Sequence, residues 1–302
     1  MVHSQRVVAA VSLVLAVSGT LAILFGVQRI GVERYAAYDA LVRKGRTAAD
    51  EMRFDEAEQD LQQAIAIYDD QLEAYVEQAV LLYRQGKYQE CIDAVETTQS
   101  RELKYYSRQS VANLYNVAAE AYYELESYES AAMMYQKAIG YSPDILSYYQ
   151  GEATALIQLG DYSGADEVLA EMVKAVPDAE QSGAYQVVQS ELLRKQGDLP
   201  DALDAARKAI GSADGNDQLA RAYRLAASIC EDIGDSMLSE EINLLNQALN
   251  SSPMDITTRW PDSWRPHIFV RRKRPGIPAI KKMPCEPISS WRKTETPRWK
   301  SG

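Results

Sequence analysis

The chain has 302 residues, 46% of them hydrophobic, and a formal net charge of −11. Its two histidines, His3 and His267, stand near the ends, which excludes a histidine triad or a multi-histidine metal site from the 200-odd residues between them. Three widely spaced cysteines, Cys91, Cys230 and Cys285, make neither a disulfide framework nor a CxxC metal pair, and no P-loop, GxGxxG, HExxH or GxSxG motif occurs.

The first element is Val7 to Val27, an uncharged stretch long enough as a helix to span a ~30 Å hydrocarbon core. A cleaved signal peptide is the competing reading. The apolar run exceeds the usual signal core and no A-x-A site follows, so the expectation is a retained single-pass anchor over about 7–28, within an N-terminal region 1–30. Arg6 flanks one side and Arg29, Arg34, Arg43, Lys44 and Arg46 the other. That pattern leaves open on which side of the membrane the rest of the chain lies.

From Tyr35 onwards one phrase recurs. It runs YESAAMMYQKAIGYSP at 128–143, with Ala131, Tyr135 and Ala138 on one helix face and Pro143 as a stop. Copies start at Met52, Gly86, Gly160 and Gly197, with a looser one at Gly234. The small residues Ala57, Cys91, Ala131, Ala165 and Ala202 mark equivalent positions, 34, 40, 34 and 37 residues apart. A period near 34 with short insertions, built of two helices per unit, predicts a solenoid over 35–257. No single pair can bury its own apolar stripe, so each must lean on the next. Glu56/Asp60 and Glu240/Glu241 are expected on exposed helix faces, as solvated charge rather than acid–base machinery. Cys91 is expected to be a core thiol.

These copies resemble the tetratricopeptide repeat (TPR) family. A small residue stands midway along the first helix of each pair (Gly45, Ala79, Ala119, Ala153, Ser190, Ala227). An aromatic or leucine precedes the second-helix alanine by three (Phe54, Tyr88, Tyr128, Tyr162, Leu199). Proline closes three units (Pro143, Pro177, Pro253). The resemblance covers roughly Tyr38 to Pro253 and implies an all-α, right-handed solenoid of about six helix-turn-helix units. It further implies that the first helix of each pair lines a concave groove where partners bind. Carried over by position, the groove residues are Glu73, Val76, Val80 and Tyr83; Asn113, Asn116, Glu120 and Tyr123; Gln150 and Thr154; Glu191 and Arg194. The lysine-and-asparagine carboxylate clamp of the family's co-chaperone branch is missing, since Val42, Arg46, Glu77, Asn113 and Val117 hold the matching places. The strip is polar, mildly acidic and rich in tyrosine, which offers flat apolar area with a polar tip. It suits a partner segment carrying Lys or Arg, or else is simply a solvated surface. Tyr75, Tyr115, Tyr128, Tyr149, Tyr162 and Tyr223 are read as packing between helices.

The last stretch, 258–302, is of another kind. Residues 259–302 hold 12 basic and 3 acidic side chains, all four Trp and seven of the eleven prolines, but no tyrosine. Proline density forbids a long helix there, and disorder is expected. A basic tail for lipid or nucleic acid and a plain disordered end compete with translation out of frame. The last is favoured, because repeats, tyrosines and acids stop together.

The functional expectation is a membrane-tethered, non-catalytic adaptor, without cofactor or metal, that binds a protein or peptide partner in its groove. The alternative is the sensor or regulatory half of a transmembrane signalling protein, such as a bacterial serine/threonine kinase whose catalytic domain lies upstream. Nucleic acid is not the expected partner.

Overall fold

The computed structural model describes Arg29 and residues 31–251. Among these the chain forms twelve α-helices and no β-strand. They are α1 (31–50), α2 (Phe54–Ile67), α3 (Leu72–Arg84), α4 (Tyr88–Gln99), α5 (Arg108–Glu124), α6 (Tyr128–Tyr141), α7 (Leu146–Leu159), α8 (Tyr162–Ala175), α9 (Gly183–Gln196), α10 (Leu199–Gly211), α11 (Asn216–Ile233) and α12 (Leu238–Ser251).

The small residues do what their spacing predicts. Ala57, Cys91, Ala131, Ala165 and Ala202 are each 0% exposed, so the two helices of every pair meet at the same register with no side chain to hold them apart. The first helices match them: Ala79, Ala119, Ala153, Ser190 and Ala227 are all buried. Ser190 satisfies its buried hydroxyl by donating to the Ala202 carbonyl at 2.8 Å, tying α9 to α10. At Gly45 even a methyl group would be crowded, because a Cβ there would lie 2.9 Å from Leu61 Cγ.

The turn inside each pair is equally regular. Five positions before each marker residue, at Met52, Gly86, Glu126, Gly160 and Gly197, the backbone takes a positive φ of 58–91°. The following amide then reaches back to a carbonyl of the last helical turn: Lys87 to Leu82, Ser127 to Tyr122, Asp161 to Leu156 and Asp198 to Leu193, each at 2.9–3.0 Å. Proline follows the ends of α6 and α8, where helices are expected to stop.

Stacking supplies the rest. Each helix packs on its successor, and the first helices of neighbouring pairs also touch, α3 with α5, α5 with α7, α7 with α9 and α9 with α11. Those contacts build one continuous wall from first helices. The apolar core is accordingly a series of clusters shared between pairs, such as Leu72, Val76, Cys91, Val95, Leu114 and Val117 from α3, α4 and α5. The 40-residue repeat carries its extra residues between α4 and α5. That insertion is clipped to the α2–α3 turn, with Lys104 N donating to Asp70 O and Leu72 N to Tyr105 O, both at 3.1 Å.

Two expectations are corrected. Single-pass membrane localisation is not upheld: no helix among the described residues is long and apolar enough to cross a membrane. The stretch 7–28 on which that expectation rests lies outside the described residues, as do Pro253 and the basic stretch 258–302. Secondly, Asp60 and Glu241 are not on exposed faces. They are 4% and 5% exposed, and Lys44 reaches over to hold Asp60 Oδ1 at 2.8 Å.

Candidate functional site: the wall of first helices

The strip read from repeat positions is built by α3, α5, α7 and α9. A helix that buries small residues on one side must turn the next positions along toward the opposite side. Glu73 and Asn113 are exposed, and Val80, Tyr83, Asn116, Glu120, Tyr123, Gln150, Thr154, Glu191 and Arg194 are partly buried. Val76 is different. At 4% exposure it belongs to the cluster against which Leu103 of the insertion packs, and it offers the strip no accessible side chain.

Several strip residues are joined across repeats. Tyr148 of α7 donates to Asn113 Oδ1 of α5 at 2.8 Å and accepts from Gln109 Nε2 at 2.9 Å. Arg194 of α9 pairs with Asp232 of α11, Nε to Oδ2, at 2.5 Å. Near the start of the chain Arg46 of α1 grips Glu77 of α3 through both Nε and Nη2. Within α5, Asn116 Nδ2 donates to Glu120 Oε1 at 2.9 Å. Polar groups on this wall thus knit successive repeats together as well as facing outward.

The centre of the wall is where elements distant in sequence converge. Tyr123 of α5 feels the carboxylate of Glu191 on α9, two repeats on. Burial, with Glu191 next, pushes the Tyr123 phenol up to about 12. Burial likewise raises the carboxyls of Glu120 and Glu191; only Arg194 and Lys195 of its own helix oppose the rise at Glu191. Tyr135 comes to the same place from the second helix α6. It is 6% exposed, and its phenol is raised by burial first and then by Glu120, Tyr83 and Tyr123. The ring fits because α7 has no side chain opposite it: a Cβ on Gly151 would lie 2.3 Å from Tyr135 Cζ. Repeat-position reasoning misses Tyr135, since it takes groove residues from first helices alone. The available signal is the pairing of a bulky phenol in α6 with glycine in α7.

The tyrosines read as packing divide. Tyr149 and Tyr75 are buried, at 0% and 5% exposure, while Tyr115, Tyr128, Tyr162 and Tyr223 are partly buried. Tyr128 also sets its ring edge-on to that of Tyr123, 5.3 Å between centroids. Cys91 is wholly buried and its thiol is pushed up to about 12 by burial, so it is not a nucleophile.

A family model described as tetratricopeptide repeat matches residues 42–102, 116–180 and 151–217, together more than half of the chain. The chain belongs to the tetratricopeptide repeat family. Among solved structures, pilF of Pseudomonas aeruginosa aligns over 80% of this TPR chain and 100% of its own, at 16% identity and a TM-score of 0.54. A tetratricopeptide repeat protein from Parabacteroides merdae aligns over 78% of this chain and 87% of its own, at 17% identity and a TM-score of 0.52. At such identities the likeness speaks for the fold. No curated protein sequence matches the chain.

Proposed function

We propose that this TPR protein is a non-catalytic adaptor that holds an extended segment of a protein partner along the wall formed by α3, α5, α7 and α9. The observation that carries the reading is the convergence of Tyr123 with Glu191 across two repeats. Side chains that far apart in sequence meet only if the first-helix faces turn toward one another, leaving a groove rather than a flat flank. The lining suits a peptide. Partly buried tyrosines give large contact area at low entropic cost, and amides and carboxylates beside them can take up main-chain and side-chain polar groups. The candidate residues include the carboxylates Glu73, Glu120 and Glu191 and one guanidinium, Arg194, which is already paired. Charge therefore favours a segment with Lys or Arg over an acidic one.

The test is binding of the full chain to a degenerate nonapeptide pool, read by the fraction of peptide retained. Asn116→Ala/Tyr123→Ala is expected to lower retention about tenfold or more, while Glu167→Gln, an exposed change on the second helix α8, leaves it unaltered. Equal retention by all three proteins would show that the groove is not the binding surface.

A further inference from the structure

The groove has a centre whose chemistry is more specific than a tyrosine-lined strip. Three elements bring polar ends to one spot. From α5 come Glu120 and Tyr123, from α6 Tyr135, and from α9 Glu191. Among the described residues no lysine or arginine acts on the Glu120 carboxylate; its one strong partner is the Asn116 amide on Oε1. Tyr135 makes the second, independent point. Its body is more than nine-tenths buried, yet its hydroxyl hydrogen-bonds to none of the described residues and ends among Glu120, Tyr83 and Tyr123. A buried hydroxyl with no partner costs stability unless something else meets it. Placing it there also required glycine at position 151, since any side chain would strike the ring. The hollow thus offers carboxylate acceptors, a phenol oxygen and ring faces, and lacks a cation.

Resting on the groove reading above, we propose that the hollow bounded by Glu120, Tyr123, Tyr135 and Glu191 is a pocket for one lysine or arginine side chain of the bound segment. The aliphatic stem would lie against the rings, and the charged head would donate to the carboxylates and to the Tyr135 oxygen. Each component matches the chemistry of a long cationic side chain: apolar stem, aromatic contact, and acceptors at the far end. An acidic side chain would meet two like charges in a partly desolvated site, and an uncharged one would leave the acceptors unmet.

The experiment uses acetylated, amidated nonapeptide pools in which one central position is fixed and the others are randomised. The fixed residue is Lys, Arg, norleucine, citrulline or Glu. Norleucine and citrulline keep the length of the cationic side chains and remove the charge. With the unaltered chain, the Lys or Arg pool should be retained at least about tenfold better than its neutral counterpart, the size expected of a charge-assisted hydrogen bond. Glu120→Gln/Glu191→Gln should bring that preference to within about twofold while the norleucine pool binds as before. Tyr135→Phe should reduce the preference by a smaller factor. The single changes Glu120→Gln and Glu191→Gln, each checked by melting temperature, serve if the double change unfolds. Retention of all pools without preference by the unaltered chain overturns the cation pocket and leaves the groove reading intact. A preference that survives the double change also overturns it, by putting the cation elsewhere. Retention of no pool removes the groove reading and the inference together.

Discussion

At the scale of single residues, burial of charge is the feature with measurable consequences. Glu152 on α7 is 8% exposed, and its carboxyl is pushed up to about 7 by burial, with Glu171 adding to the rise. The folded chain therefore holds this proton more tightly than the unfolded chain does. The associated stability is fully present below about pH 4.5 and is lost as pH rises through about 7, on the order of 3 kcal/mol across that window. Glu152→Gln should leave unfolding free energy near pH 4.5 little changed and raise it at pH 8. Glu120 and Glu191 are raised in the same direction, so a shallower slope of the same sign should persist in the variant. Urea titrations at several pH values check this, and equal slopes in both proteins would refute it. A second residue-scale outcome concerns Gly151. Gly151→Ala forces the Tyr135 ring aside and should cost about 1–3 kcal/mol. Tyr135→Leu removes the clashing ring atoms, so the double change should cost less than the sum of the two single ones. Neither effect is legible in the sequence. Tyr135 has the same repeat position as Leu61 and Leu169, and only the coordinates show that its ring end faces a bare backbone.

At the scale of the helix pair, the sequence is far more readable, because close helix approach leaves only a small residue possible at the crossing. The five markers from Ala57 to Ala202 are all fully buried, as their spacing implies. The turn between paired helices was readable only where glycine occupies it. Gly86, Gly160 and Gly197 announce a left-handed residue, whereas Met52 and Glu126 hold the same conformation at φ 59° and 58° without the residue type that favours it. Tertiary packing imposes it there. Glu126→Gly should accordingly stabilise the protein by about 1 kcal/mol, and Gly160→Ala should destabilise it by about the same amount. Thermal unfolding of the two variants checks both signs; a loss of stability in Glu126→Gly would contradict the turn assignment. The insertion between α4 and α5 shows the opposite limit. Its length is plain from the 40-residue spacing, but its attachment to Asp70 and Leu72 runs through main-chain groups, which carry no side-chain signature.

At the scale of the whole repeat array, stability and the candidate site have one origin. Clusters shared between pairs make each unit depend on its neighbours, and contacts among α3, α5, α7 and α9 turn those helices into a wall. Repeat position alone places Asn116, Glu120, Tyr123 and Glu191 on that wall. It fails at Val76, drawn into the core, and at Tyr135, which arrives from a second helix. Both failures arise because a period describes the average unit, while the side-chain volumes at one crossing decide what reaches the surface. The most direct measurement of the account is site-specific photo-crosslinking to the Lys-fixed nonapeptide pool. A photoreactive side chain is placed at Asn116 in one preparation of the full chain and at Glu167 in another. The account predicts crosslinked peptide from position 116, several-fold above position 167, and competed away by unlabelled pool. Equal crosslinking from both positions, or crosslinking from 167 alone, would contradict it.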